Sequence, residues 1–159
     1  AHYKGFVAVE HAMNVIFHAP SISKVAESHQ LTQIIRSPLA MGLLTGKFRA
    51  GDRIDPSDVR SNNFDWMDYF KRGKVSAAHV AKLEAIRELL TSGGRTVGQG
   101  ALCWLLGKSS SLLPVPGART VAQVQENAAA VTLGPLPSSV MDEIESVIDR
   151  PPEGPPRER

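Results

Sequence analysis

The sequence of 159 residues has few cysteines, little net charge and no long apolar run, the features that mark disulfide-rich, nucleic-acid-binding and membrane-spanning proteins. Its single cysteine, Cys103, excludes an internal disulfide and favours a reducing compartment, so we expect a cytoplasmic protein. Lys and Arg number 18 against 16 Asp and Glu, and the resulting net charge of +2 is too small to predict binding to nucleic acid or a membrane surface. Every apolar run is shorter than the roughly 20 residues of a membrane span. We therefore predict no nucleic-acid partner and no membrane partner.

Familiar catalytic and nucleotide-binding motifs are also missing. Neither GxxxxGK[ST] nor GxGxxG occurs, and the five histidines lack metal-ligand spacings such as HExxH. The sequence contains no recognisable Ser-His-Asp or Cys-His arrangement. We therefore predict no metal site, and the candidates for function are loops rather than a catalytic motif.

Short apolar segments alternate with amphipathic ones along the chain. Strands are predicted over residues 6–17, 31–36 and 112–115, and the predicted helices begin near Pro20, Ser76, Thr96, Thr120 and Ser138. Thr96 and Gln99 have capping-box spacing, and Ser138 is expected to cap the last helix. This order indicates parallel strands joined by crossover helices, as in an open doubly wound sheet or a barrel. Three strands leave two open sheet edges, which a stable isolated domain seldom tolerates.

The remaining segments complete the predicted domain organisation. Residues 1–149 are expected to form one domain, and residues 48–74, which have no sustained period, form a long loop excursion within it. The Pro-rich residues 150–159 are predicted to be a disordered tail. In the helix that begins after Thr120, we expect Val121, Val124 and Ala128 to form the buried stripe.

The segment LLPVPGARTVAQVQEN joins the third predicted strand to a helix. Pro114 and Pro116 stiffen the strand end, and Gly117 permits a turn that other residues resist. Thr120 and Gln123 have capping-box spacing, so Arg119 lies just before a helix N-terminus, where backbone N–H groups lack internal partners. Such an arrangement can bind an anion. A plain strand-to-helix turn with a solvated arginine is the alternative.

A second loop, SPLAMGLLTGK, follows the second predicted strand. Gly42 and Gly46 permit close backbone approach to a ligand, and Ser37, Thr45 and Lys47 offer donors. A structural turn is again the alternative. Since both loops leave the same end of neighbouring parallel strands, they could bind phosphates together, as loops after the last two strands of a barrel do.

These segments resemble those of a known family. RSPLAMGLLTGKF at 36–48 and VPGARTVAQVQEN at 115–127 resemble the two cofactor-binding segments of the aldo/keto reductases, and NVIFHAP and ALCWLL resemble further segments of that family. The family forms a (β/α)8 TIM barrel, binds NADP(H) and reduces aldehydes and ketones. The resemblance implies an α/β fold that is a partial TIM barrel, comprising roughly strands six to eight, their helices and the C-terminal helix.

The resemblance also assigns cofactor contacts. The residues implied to line the pyrophosphate are Ser37, Leu39, Gly42, Leu44 and Lys47. Those implied to hold the 2′-phosphate are Gly117, Ala118 and Arg119, and those implied at the adenine and ribose are Gln123, Glu126 and Asn127. A guanidinium suits a phosphate dianion, which favours NADP(H) over NAD(H).

This chain departs from the family pattern in several places. Glu10 stands where many members have a glutamine near the nicotinamide carboxamide, and Arg36 stands where many have a stacking tyrosine. The family's catalytic Asp, Tyr, Lys and His come from the first four strands, and neither Tyr3 nor Tyr69 matches the catalytic tyrosine. We therefore assign no catalytic residue.

Three hypotheses follow. The chain is the NADP(H)-binding C-terminal part of an aldo/keto reductase, with little or no carbonyl reduction of its own. Alternatively, it is a non-catalytic NADP(H)-binding module. In the third hypothesis it is a barrel remnant that self-associates through its open sheet edges. The corresponding partners are a missing N-terminal half-barrel chain or a second copy of this chain.

Overall fold

The computed structural model describes residues 5–64 and 67–153. The strands are β1 (Ala8–Ala12), β2 (Thr32–Arg36), β3 (Phe70–Lys71), β4 (Lys74–Val75) and β5 (Leu112–Pro114). The helices are α1 (Pro20–Ser28), α2 (Ala77–Leu90), α3 (Val97–Lys108), α4 (Val121–Leu133) and α5 (Ser138–Val147), with a short 3-10 helix at Ala40–Thr45. Helices thus alternate with parallel strands, as the sequence predicts.

A three-stranded parallel sheet in the order β1-β2-β5 organises the fold. Side chains alternate between its faces, and the register sets His11 beside Ile35 and Gln33 beside Leu112, all four of them buried. Leu113 lies on the opposite face, which is largely uncovered, and it is 52% exposed. The sheet therefore has one face packed by helices and one open face.

The core lies between the covered sheet face and helices α2 and α3. Leu83, Ile86, Trp104 and Leu105 are fully buried there, and burial of each such side chain contributes about 1.5–3 kcal/mol. Thr96 caps α3 through a complete capping box with Gln99, as predicted. Cys103 is buried in this core.

Two predicted boundaries were wrong. The strand predicted within 6–17 spans only Ala8–Ala12, because Asn14 Oδ1 accepts the Ile16 N–H and turns the chain. The last helix is capped by Pro137 without a side-chain hydrogen bond, so Ser138 is its first residue rather than its cap.

The segment predicted as a loop excursion contains structure. β3 and β4 form a small antiparallel hairpin within it, which buries Phe70. The hairpin turns at Arg72 and Gly73, which both have positive φ. A strand pair of this length carries no detectable sequence period, which explains why the prediction missed it.

The predicted stripe of α4 was also wrong. Val121 is 74% exposed and Val124 is 56% exposed, and Ala128 is exposed as well. Helix α4 packs on α3 through Ala130, which is buried and whose carbonyl oxygen accepts the Cys103 Sγ hydrogen bond. The small alanine side chain allows close helix approach, which apolar periodicity alone does not reveal.

The start of the predicted disordered tail contacts the rest of the chain. Arg150 donates to the Val15 carbonyl and pairs with Glu145, and the Glu153 carboxylate accepts from the Ser21 N–H and hydroxyl. Arg150 and Glu153 thus connect residues 150–153 to the rest of the chain through charged side chains. Residues 154–159 lie outside the described part. Within residues 5–64 and 67–153, no helix has the length and apolar character needed to cross a membrane.

Candidate functional site

A cleft of about 1040 Å³ lies where the loops after β2 and β5 meet. Ten of the thirteen predicted site residues line it: Ser37, Leu39, Gly42, Lys47, Gly117, Ala118, Arg119, Gln123, Glu126 and Asn127. The structure thus brings the two predicted loops together at the carboxyl end of the sheet.

The loop after β2 has an unusual backbone. Ser37, Ala40, Met41 and Gly42 have φ values of 53°, 48°, 54° and 91°, in the left-handed region that residues with a Cβ seldom adopt. Leu43 and Leu44 are fully buried and anchor the loop to the core. Leu44 therefore does not line the cleft with its side chain, contrary to the prediction.

The segment after β5 confirms part of the predicted cap. Thr120 Oγ1 accepts the Gln123 N–H at 3.2 Å. The Gln123 side chain, however, accepts from the Arg119 N–H at 2.7 Å rather than from the Thr120 N–H of a regular capping box. This bond fixes the backbone of Arg119 at the mouth of the cleft.

Gly117 serves a different purpose from the one predicted. It lies outside the left-handed region, so the turn does not require glycine, and a Cβ placed on it would meet nothing within 4 Å. The missing side chain therefore leaves open space at the cleft, which permits a ligand to approach the backbone.

Two of the predicted adenine and ribose residues are already hydrogen-bonded within the protein. Glu126 Oε1 accepts the Thr96 hydroxyl at 2.7 Å, and the Glu126 carbonyl oxygen accepts from Gln99 Nε2 at 3.2 Å. Gln123 is engaged by the Arg119 N–H, as described above. Asn127 lines the cleft one residue beyond Glu126.

Sequence reasoning missed a third wall of the cleft, formed by residues 55–60. Asp55, Ser57, Asp58 and Arg60 all line it. Each aspartate accepts the N–H of the residue two positions later, at 2.8 Å for Ser57 and 2.9 Å for Arg60. The pattern Asp-x-Ser followed by Asp-x-Arg in DPSDVR is typical of such turns and was the available signal.

Asp58 and Arg60 form the tightest ion pair at the cleft. Arg60 Nε and Nη2 donate to the two carboxylate oxygens of Asp58 at 2.8 and 2.5 Å. The hydrogen bonds from Arg60 hold the pKa of the Asp58 carboxyl well below its ordinary value, and the charge of Arg119 lowers that pKa further. The charge of Arg119 therefore acts on the Asp58 carboxylate at the cleft.

Glu10 and Arg36 lie outside the cleft. They belong to the open sheet face, where Arg36 Nε and Glu10 Oε1 are 4.0 Å apart and both side chains are more than half exposed. Their predicted positions near the nicotinamide are therefore not part of the described cleft. Within the described ranges, no cluster of three or more His, Cys, Asp or Glu side chains could hold a metal ion.

The chain is an α/β protein whose strand-to-helix loops converge on a cleft lined by Lys47 and Arg119. Basic side chains beside the start of a helix can hold an anionic group. The comparisons with known proteins identify the family. The model of the aldo/keto reductase family matches residues 1–149, so the chain belongs to that family.

Three relatives illustrate the likeness. The chain is 28% identical over 130 residues to an aldo-keto reductase of Schizosaccharomyces pombe whose name specifies NADP(+), an alignment that covers 80% of this chain and 36% of the relative. A glycerol dehydrogenase from Gluconobacter oxydans superimposes with a TM-score of 0.69 at 21% identity, over 96% of this chain and 46% of that one. An aldo-keto reductase from Klebsiella pneumoniae in complex with NADPH gives a TM-score of 0.59 at 16% identity, over 92% and 40%. The chain thus spans less than half the length of these relatives.

Proposed function

We propose that the cleft binds NADP(H), and that the chain is the cofactor-binding part of an aldo/keto reductase that interconverts carbonyl groups and alcohols. The observation that carries the proposal is the meeting of residues 37–47 and 117–127 in one cleft. The name of the fission-yeast relative and the NADPH complex of the Klebsiella neighbour support the choice of cofactor. When bound, NADPH would supply the hydride.

The residues of the cleft fit the charges of this cofactor. Lys47 and the backbone of the 37–47 loop are suited to the pyrophosphate, and Arg119 at the entrance to α4 is suited to the 2′-phosphate. The open space at Gly117 lets a phosphate approach the backbone. A planar guanidinium at this position favours NADP(H) over NAD(H), because only the former carries a phosphate on the adenosine ribose.

Titration of the 159-residue chain with NADPH, followed by the fluorescence of the cofactor, tests this proposal. Arg119→Ala should weaken NADPH binding by about 1.5–3 kcal/mol, the scale of a charged hydrogen bond, and should change NADH binding little. Arg49→Ala is the matched control, since Arg49 is exposed and is not among the residues that line the cleft. Equal loss of NADPH and NADH in Arg119→Ala, or no saturable NADPH binding by the parent chain, contradicts the proposal.

We further propose that β1, β2 and β5 are strands six to eight of a (β/α)8 barrel, and that the remaining strands cover the open sheet face. Leu113 on that face and Val121 on α4 are largely exposed, and β1 and β5 are both sheet edges. One further barrel segment, either elsewhere in the same protein or in a partner chain, would cover all of these surfaces. The catalytic residues of the family would belong to that segment, so the 159-residue chain should reduce a simple aldehyde weakly or not at all.

Four measurements on the 159-residue chain test this second proposal. The open face should bind a hydrophobic dye, and the amides of β1 and β5 that do not pair with β2 should exchange quickly. A chain that is monomeric by light scattering, binds no dye and protects both edges would contradict it. A dimer dispersed by Leu113→Asp would instead identify a second copy as the occupant. Robust NADPH oxidation with an aldehyde would show that the catalytic residues lie in this chain.

A further inference from the structure

We propose that Asn14 and Arg60 are positioning residues that hold the 37–47 loop in its binding conformation before a nucleotide arrives. The inference rests on the proposed cofactor function, but its main readout does not need a nucleotide. Neither residue belongs to either of the loops predicted to bind the cofactor. Both donate hydrogen bonds to backbone carbonyl groups within the 37–47 loop.

The loop needs external support because its backbone is strained. Ser37, Ala40 and Met41 have side chains yet lie at φ values near 50°, a conformation that is unfavourable because it brings the Cβ atom too close to the following carbonyl oxygen. Such residues stay in place only when the surrounding structure over-determines them. The two carbonyl groups that accept the supporting hydrogen bonds belong to Ser37 and Met41, two of the strained residues.

Asn14 supports the beginning of the loop. It is fully buried just beyond the end of β1, and its Nδ2 donates to the Ser37 carbonyl at 3.1 Å and to the Tyr69 hydroxyl at 3.0 Å. Its Oδ1 accepts the Ile16 N–H at 3.1 Å, which fixes the orientation of the amide. Ser37 thereby stays in the position from which its carbonyl also accepts the Ala40 N–H at 2.9 Å.

Arg60 supports the middle of the loop from the opposite wall. Its Nη1 donates to the Met41 carbonyl at 3.1 Å, while Asp58 engages its Nε and Nη2. The guanidinium lies 5.1 Å from the centre of the Phe48 ring and 5.5 Å from that of Phe70. Because Asp58, Phe48 and Phe70 hold the Arg60 guanidinium in place, it can fix the positions of Met41 and the adjacent Gly42.

Support of this kind should act on any nucleotide that uses the loop. If the 37–47 loop is already ordered, nucleotide binding does not have to supply the free energy of ordering it. Residues that hold the loop therefore increase nucleotide affinity through the loop itself. Because NADPH and NADH share the pyrophosphate, loss of either support should weaken both by the same factor. This distinguishes Asn14 and Arg60 from Arg119, which should affect NADPH alone.

Hydrogen exchange of the nucleotide-free chain is the main test. Arg60→Met should speed exchange of the Gly42 and Leu44 amides, which donate to the Leu39 carbonyl, and Asn14→Leu should speed exchange of the Ala40 amide. We expect roughly 2- to 12-fold faster exchange for the neutral donor Asn14 and about tenfold or more for the charged donor Arg60. NADPH and NADH affinities should fall by equal factors of the same size.

Two matched controls separate positioning from general destabilisation. Arg150 also donates to a backbone carbonyl, pairs with a carboxylate and lies over an aromatic ring, here Trp104, but it is not among the cleft residues. Arg150→Met should therefore leave exchange in the 37–47 loop unchanged. Tyr69→Phe removes the hydroxyl that Asn14 engages while keeping the bond to Ser37, so it should affect the Ala40 amide less than Asn14→Leu does.

The outcomes are distinguishable. Unchanged exchange at Ala40, Gly42 and Leu44, or equal effects in Arg60→Met and Arg150→Met, overturns the inference. If Arg60→Met does not fold, Arg60→Lys keeps the positive charge beside Asp58 but loses the planar fork, and it should still speed exchange at Gly42. If the parent chain binds no nucleotide, the proposed function fails, and the exchange result decides the inference by itself.

Discussion

Gly100 in the core and Gly117 at the cleft lack a side chain for opposite reasons. A Cβ on Gly100 would lie 2.0 Å from the Leu90 carbonyl oxygen, so the glycine is required for α2 and α3 to pack together. A Cβ on Gly117 would meet nothing within 4 Å. The backbone of α2 thus occupies the position that a side chain on Gly100 would need, whereas the corresponding position beside Gly117 is empty. Gly100 is therefore needed for helix packing, while the absence of a side chain at Gly117 leaves room for a ligand.

The largest expected effect is on the core side of this comparison. Gly100→Ala should lower the free energy of unfolding by about 1–3 kcal/mol or more, since the backbone of Leu90 cannot move without separating the two helices. Urea unfolding of the variant and the parent chain measures the difference. A variant as stable as the parent would mean that α2 and α3 are less closely packed than described.

The second prediction concerns the cleft. Gly117→Ala should leave stability unchanged or raise it by about 0.4–1 kcal/mol, because alanine restricts the unfolded chain and meets no obstacle in the folded one. NADPH affinity should nevertheless fall about tenfold, or about 1.4 kcal/mol, if a phosphate lies against this backbone. Unfolding and titration on the same sample test both parts. Unchanged affinity would show that the open space is not used.

The smallest expected effect concerns the charge pair on the third wall. The pKa of Asp58 is lowered in the folded chain, chiefly by the hydrogen bonds from Arg60, so its contribution to stability is present above the ordinary carboxyl value of 3.8 and is lost as the pH falls below it. Asp58→Asn should therefore cost about 1 kcal/mol or less at neutral pH. This cost should shrink below about pH 4, as measured by unfolding across that range. A cost that does not change with pH would contradict the role of the ionised pair.

The sequence predicted the two main walls of the cleft because each depends on local signals. A short apolar strand, a glycine-containing loop and the start of a helix identify each wall, and parallel pairing brings the strand ends together. The wall at 55–60 could not be placed in the same way, since it meets the 37–47 loop through a long-range contact, the hydrogen bond from Arg60 to the Met41 carbonyl. A single long-range hydrogen bond of this kind produces no periodic pattern of apolar residues from which it could be predicted.

The wrong predictions have a common physical cause. The apolar residues of α4 were expected to face inward, but Val121 and Val124 are exposed and Ala130 is buried. A periodic stripe shows that a helix has an apolar face without showing which neighbour covers it. Similarly, glycine permits an unusual turn, yet Gly117 has none. In each case the neighbouring element, and not the local sequence, decides the role of the residue.

Amide chemical-shift mapping of the 159-residue chain with added NADPH tests the central claim most directly. The shifts should concentrate in residues 37–47, 55–60 and 117–127, and they should spare α5 and residues 150–153. Shifts confined to only one of the two main loops, or spread over the open face of the sheet, would contradict the claim that the loops bind one nucleotide together.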